Sequence, residues 1–164
     1  MPKRRLMCKK SDWSKALIGD IVYFDGNRLK FMNPTEWTNN LGSYVGTIYN
    51  NEANKVQVIA GIQAYYTYDS GRTYCLDYSV LGKTTGWRMP EQTELSEMYV
   101  HKTLLNTSFS YVECPTFIES QAYWSNTGYT TSNPYYVWFD NGYVGNGRSK
   151  SESLVVRPVT DIEY

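Results

Sequence analysis

Tyr123-Trp124-Ser125-Asn126-Thr127 opens a stretch that continues through Tyr136-Val137-Trp138-Phe139-Asp140-Asn141-Gly142-Tyr143-Val144 and closes on Leu154-Val155-Val156-Arg157-Pro158-Val159. Aromatic and β-branched residues favour strands, and Asn-Gly between two such runs favours a tight hairpin turn. The stretch therefore reads as short strands joined by polar loops. Its composition carries a second message. Of the 31 residues from Tyr123 to Ser153, five are Tyr, five Ser, four Gly and four Asn. Antibody combining loops use this palette, because rigid amphipathic Tyr rings give contact area at low entropy cost while Ser, Gly and Asn give adaptable hydrogen bonds. The two readings are compatible, since a hairpin scaffold can carry exposed rings as a binding surface.

The rest of the chain sets the bounds. Its 164 residues suit one domain with a single core. Sixteen basic residues balance sixteen acidic ones, so the global field gives no reason to expect nucleic acid as a partner. The 16 tyrosines exceed what one core needs, which places some rings at the surface. Cys8, Cys75 and Cys114 form neither an even framework nor a CxxC pair, which argues against a disulfide scaffold or a zinc site. Cys75 and Cys114 are expected to be buried as small hydrophobes.

Residues 1–18 read as a basic arm, with Lys3, Arg4, Arg5, Lys9, Lys10 and Lys15 against Asp12 alone. No apolar run of about 7 residues follows, so no secretory signal is expected. The arm reads as a solvated terminus, or as a segment that attaches to other proteins of a larger assembly. No stretch approaches the ~20 apolar residues that cross a bilayer, and no membrane association is expected.

Residues 19–164 read as one domain. Asp20 to Phe24 and Arg28 to Met32 flank Asp25-Gly26-Asn27, a hairpin signal. Asn33-Pro34-Thr35-Glu36-Trp37 suits a short helical turn. Tyr44 to Tyr49 and Lys55 to Ala60 read as paired core strands around a polar loop, Asn50 to Asn54. Gln63 to Tyr68 fits a loop or a strand edge. Arg72 to Tyr78 reads as a short helix. The strongest helix spans roughly Glu91 to Leu105: Glu91, Glu94 and Glu97 crowd its start, where the helix dipole favours negative charge. Leu95, Met98, Tyr99 and Leu105 share its apolar face. The layout is α+β, two short helices among antiparallel strands and long loops.

Tyr74-Cys75, Gly86-Trp87-Arg88-Met89-Pro90, Glu94-Leu95, Tyr123 to Thr127, Val137-Trp138-Phe139-Asp140-Asn141-Gly142 and Val156-Arg157-Pro158-Val159 occur in an order that resembles bacterial and phage domains of C-type-lectin-like fold. That group includes the carboxyl-terminal adhesin domain of the Legionella collagen-like protein, formylglycine-generating-enzyme-like domains and the variable proteins diversified by retroelements. The likeness covers about residues 70–160. Residues 19–62 look similar to the lead-in of variants from gut Bacteroidetes and their phages. Trp87 and Trp124 then make sense as core anchors, Arg88 as a partner for carbonyls or a carboxylate, and Arg157 as a buried, paired guanidinium. Glu91 stands where relatives usually carry Thr or Ser, an exchange expected to weaken the helix cap.

The resemblance implies that a diversified region, residues 121–153, contacts a ligand through Asn126, Tyr129, Thr131, Asn133, Tyr135, Tyr136, Trp138, Asp140, Tyr143, Asn146, Arg148, Ser149 and Ser151. Strand alternation sends part of this set inward, and Trp138 and Phe139 cannot both face solvent on a regular strand. No catalytic constellation accompanies it. Cys114 lacks the second, neighbouring cysteine of the copper-dependent oxidases, and no GxSxG, HExxH or phosphate-binding loop occurs. His101 reads as a helix-end residue rather than a base. Ser132-Asn133-Pro134 and Trp138-Phe139-Asp140-Asn141 only echo the calcium loops of sugar-binding lectins, so neither metal nor cofactor is expected. The expectation is a non-enzymatic module that binds a host or cell-surface protein or glycan. A phage virion or tail-associated receptor-binding protein is preferred. A bacterial surface or secreted adhesin is the first alternative, and a formylglycine-generating-type oxidase is the second. A homo-oligomer, as in trimeric phage fibre tips, is compatible with the resemblance, although no heptad stalk is present.

Overall fold

The alternation between Asp20 and Ala60 builds a ladder. In the computed structural model, which describes residues 12–128 and 132–164, β1 (Ile21–Phe24) pairs antiparallel with both β2 (Leu29–Met32) and β3 (Ser43–Glu52). β3 in turn pairs with β4 (Lys55–Ile59). The last strand of the chain, β10 (Val159–Glu163), closes the sheet on β4, giving the order β10-β4-β3-β1-β2. The polar loop expected at Asn50 to Asn54 is shorter than that, because the ladder runs on to Glu52↔Lys55. Three hydrogen bonds overcome the turn preference of these asparagines: Asn50 Nδ2 donates to Gln57 Oε1, Asn51 Nδ2 to Ala16 O, and the Tyr164 hydroxyl to Asn51 Oδ1.

The second sheet has the order β5-β9-β6-β7-β8, from β5 (Ala64–Tyr66), β6 (Ala122–Trp124), β7 (Tyr136–Trp138), β8 (Val144–Gly145) and β9 (Leu154–Val156). Its one parallel pairing joins β6 to β9 at Tyr123↔Val155. Gln63 to Tyr68, ambiguous in sequence, divides into β5 and the first residue of helix α1 (Tyr68–Asp77). The helix starts earlier than Arg72. Gly71 lets it lie against β9, since a Cβ there would stand 2.7 Å from Val156 Cγ1.

The single helix expected from Glu91 to Leu105 is two, α2 (Gln92–Val100) and α3 (Lys102–Tyr111), broken at His101. Three α-helices therefore stand among the described residues instead of two. Leu95, Met98 and Leu105 are fully buried as the apolar stripe requires. Asn33 accepts from Thr35 N–H and caps the 3-10 turn Pro34–Glu36.

Three apolar clusters explain the layering. Tyr49, Ile59 and Val159 from the first sheet meet Tyr123, Val137 and Val155 from the second, with Leu95, Met98, Leu105 and Phe109 of α2 and α3 completing the central core. The far side of the first sheet packs Val22, Ile48, Val56 and Val58 with Trp87. The far side of the second packs Ala122, Trp124, Tyr136, Leu154 and Val156 with Tyr68 and Cys75 of α1. Both tryptophans are core anchors, as expected. Alternate residues of β6, β7 and β9 thus enter different cores, and both faces of that sheet are covered.

The basic arm does not extend to residue 18. Trp13 and Ala16 are buried, and Trp13 packs its ring 5.1 Å from Phe31. Burial of the indole is the gain, and Ser14 and Lys15 stay exposed and keep their hydration, so residues 13–16 join the domain. Residues 1–11, with Cys8 and five of the arm's six basic residues, lie outside the described residues.

Candidate functional site

Arg88 and Glu94 set the ground beneath the tail. The guanidinium donates to both Glu94 oxygens, at 2.6 and 2.7 Å. Tyr49 Oη and Gln57 Nε2 donate to Glu94 Oε1, and the Glu91 N–H donates to Oε2 at 2.7 Å. Burial alone pushes the Glu94 carboxyl up, but the Arg88 bonds, the backbone donor and the Tyr49 hydroxyl together hold it below its ordinary value. The start of α2 is thereby fixed against the first sheet.

Glu91 does the opposite of weakening the cap. Its carboxylate accepts from Asn126 Nδ2 (2.8 Å) and Thr127 Oγ1 (2.6 Å), while Thr127 Oγ1 accepts from the first amide of α2, Gln92 N–H, at 2.8 Å. The hydroxyl of another segment adds to the local capping box of Glu91 and Glu94, satisfying a further amide at the helix start. Asn126 also accepts from Arg72 Nε at 3.0 Å, and its own N–H donates to Pro90 O. Asn126, expected at the ligand, is therefore a tether that pins β6 to both α1 and α2.

Tyr136, also expected at the ligand, faces inward. Only 7% exposed, it packs its ring 6.1 Å from that of Trp124 and lies against Gly145, where a Cβ would clash at 2.5 Å. Tyr123 is wholly buried, and its hydroxyl donates to Gln63 Oε1 while accepting from Ile118 N–H. Tyr135 is half-buried. Of the tail tyrosines that the structure describes, Tyr143 alone is strongly exposed, at 59%. Tyr rings in this stretch are mostly scaffold, because β6 and β7 have a core on each side and phenols fill it with a hydroxyl to satisfy. Tyr129 and Thr131 lie outside the described residues.

The outward set is polar. Asp140, Tyr143, Asn146, Ser149 and Ser151 are exposed, and so is Asn133. Asp140 and Tyr143 crown the β7–β8 turn, closed by Gly142 N–H to Trp138 O and Trp138 N–H to Tyr143 O, both 2.9 Å. Gly142 has φ +75°, and its bare α-carbon rests on Tyr99, whose ring a Cβ would meet at 2.5 Å. Lys102 supports the same turn, donating to Phe139 O at 2.9 Å while lying 4.8 Å from the Tyr99 ring centroid. Phe139 is buried and Trp138 half-buried, the division alternation required.

Arg148 joins this turn to the next loop. Its guanidinium sits 5.3 Å from the Trp138 ring and 5.7 Å from that of Tyr136, and it donates to Glu152 Oε2 at 2.6 Å. Glu152 also accepts from Ser149 N–H, and Ser149 and Ser151 share a hydroxyl bond at 2.8 Å. The loop is held from within, leaving its hydroxyls and Asn146 outward. Glu91, Thr127, Tyr99, Lys102 and Glu152 were not singled out in sequence as positioning residues. Glu91 carried a signal as an acid at the helix start, Tyr99 as part of the apolar face, and Thr127 through its place in the Tyr123 to Thr127 motif.

Cys75 is fully buried and burial pushes its thiol up to about 12, while Cys114 is half-buried and raised by the same cause. Among the described residues, no three His, Cys, Asp or Glu side chains gather as metal ligands. Arg157 is buried, with Nε donating to Ala60 O at 2.8 Å and its plane 3.8 Å above Phe109, and desolvation pulls it down to about 10.

No curated protein is similar enough to match the chain. The Lcl C-terminal domain family matches residues 33–160, more than three quarters of the chain, a span that takes in the second sheet, β3 and β4 of the first, and the three α-helices, and leaves out β1 and β2. With its α+β, C-type-lectin-like architecture, the chain belongs to the Lcl C-terminal domain family, a group of lectin-like binding domains.

Proposed function

We propose that this domain is a non-enzymatic recognition module whose ligand meets the loops around Asp140, Tyr143, Asn146, Ser149 and Ser151. One observation carries the reading. These polar groups stand outward on turns that Tyr99, Lys102, Arg148 and Glu152 brace from below, so their exchange leaves the buried ladder untouched. Such a surface tolerates diversification, as retroelement-driven variation of the tail requires. Deep burial of the Cys75 thiol supports a binding role over an oxidase, since a thiol held protonated is a poor metal ligand.

The partner is a host or cell-surface protein or glycan, and the carrier is a phage virion or its tail, where the domain attaches the particle to its host. Binding of the purified domain to host cells and to a glycan array tests the site. A double exchange of Tyr143→Ala and Asp140→Ala is expected to abolish binding while leaving the circular dichroism unchanged. Retention of binding by that variant argues against the site. The carrier is tested apart: co-purification with particles supports the virion, and recovery in a bacterial envelope fraction removes it.

A further inference from the structure

Leu17, Pro34, Leu104 and Tyr111 line a pocket of about 340 Å³ between the approach to β1, the 3-10 turn and α3. This is at the small end of ligand sites. It shares no residue with the tail loops. Leu17 is 65% and Tyr111 50% exposed, which leaves apolar surface at its mouth. α3 closes on Gly19, whose backbone oxygen accepts from Ser108 Oγ at 2.7 Å and whose missing Cβ leaves room for Leu104.

A carboxylate is set into this apolar wall. Asp20 is only 7% exposed and lines the pocket, with Oδ2 accepting from Leu17 N–H at 2.9 Å. Among the described residues, Oδ1 has no hydrogen bond and no cation forms an ion pair with Asp20. Buried carboxylates are ordinarily paired, because desolvation of a lone charge is costly. Here burial raises the Asp20 pKa, the Leu17 amide opposes that, and Glu36 on the 3-10 turn adds a like charge. A positive charge carried on an apolar stem would complement both this carboxylate and the wall around it.

We propose that this pocket binds a primary alkylammonium group, its charge against Asp20 and its hydrocarbon stem along Leu17, Leu104 and Tyr111. A free alkylamine and a lysine side chain share that chemistry. Asp20→Asn keeps an oxygen for the Leu17 amide and exchanges the other for an uncharged NH2 of the same size, and circular dichroism of the variant checks that the fold is retained.

Calorimetric titration of the whole chain with n-hexylamine at neutral pH tests this, beside n-hexanol, hexanoate and Nα-acetyl-lysine methylamide. Hexylamine is expected to bind at least about tenfold more tightly than hexanol, with hexanoate silent, and Asp20→Asn is expected to erase that preference. Acetyl-lysine methylamide binding as well as hexylamine identifies a lysine side chain as the source, and its failure beside hexylamine identifies a free amine. Equal binding of hexanol and hexylamine, or no binding of hexylamine, overturns the proposal without any variant. Unchanged hexylamine affinity in Asp20→Asn overturns it as well.

Discussion

The two sheets are built on different terms. In the first, strands run four to ten residues and pair side by side in long antiparallel ladders. In the second, no strand exceeds three residues, and one pairing is a single parallel register. A ladder that short orders few residues by itself. The second sheet is held instead by side chains reaching into it: Trp124 Nε1 donates to Tyr66 O, Tyr68 meets the Trp124 ring edge-on at 5.5 Å, and Thr127 binds the helix start. Backbone pairing fixes one half of the molecule and side-chain pinning the other. The loops proposed above for recognition connect strands of this second kind.

Trp124→Ala presses hardest on that contrast. The indole is fully buried between α1 and β7, and its removal is expected to cost about 3–5 kcal/mol, with a cavity left behind. Chemical denaturation measures this. If the second sheet were ladder-held, hydrogen exchange in β6 and β9 would stay as slow as in β3 and β4. The expectation is faster exchange in the second sheet alone.

Glu94 fixes the start of α2 to the first sheet, so its exchange is next in size. Glu94→Gln keeps the shape and one acceptor but gives up the charge that Arg88 grips, a loss of about 2 kcal/mol. The carboxyl holds its proton less tightly folded than unfolded, which means its contribution is complete above the ordinary carboxylate range and disappears as pH falls through the lowered folded value. Stability of the parent chain is therefore expected to drop on acidification. The drop should be shallower in Glu94→Gln, measured by urea unfolding between about pH 3 and pH 7.

The glycine turns compare the sheets directly. Gly26 and Gly142 both have positive φ, but a Cβ at Gly26 meets open space whereas one at Gly142 strikes the Tyr99 ring. Gly26→Ala is expected to cost about 1 kcal/mol for the backbone alone. Gly142→Ala adds the clash and is expected to reach about 2–3 kcal/mol. Thermal denaturation of the pair decides it. Equal losses would mean that Tyr99 yields freely and does not brace the turn.

The first sheet was legible because its strands are longer and Asp25-Gly26 marks their turn, so alternation and punctuation agree. Trp87, Trp124 and Arg157 could be placed inside because an indole, or a guanidinium within an apolar run, has few other homes. The tail was harder. Alternation there separates one core from another, and carries no signal for inside against outside. Tyr136 and Tyr143 look alike as letters; only the packing of Trp124 and Gly145 turns the first inward. The break at His101 was equally hidden, since Lys102 and Thr103 continue a helix as readily as they start one. The tethering by Thr127 depends on a contact 35 residues away in sequence, which no local pattern records. What could be read was the order of motifs that places the chain in its family, and the division of labour among the tail residues could not.

Tyr143→Ala has the smallest expected effect on stability and sharpens the comparison most. At 59% exposed, the ring covers little that water does not already reach, and its loss is expected to change unfolding free energy by about 0.5 kcal/mol or less. Tyr136→Ala, seven residues away in the same palette, removes a buried ring and is expected to cost about 3 kcal/mol or more. Denaturation curves for the two variants should separate widely, while ligand binding should follow the reverse order: abolished by the harmless exchange at 143, and altered at 136 only as far as the fold itself is lost. If the exposed ring proves as costly as the buried one, the loops are part of the framework after all, and a surface free to vary without disturbing its support is no longer available for recognition.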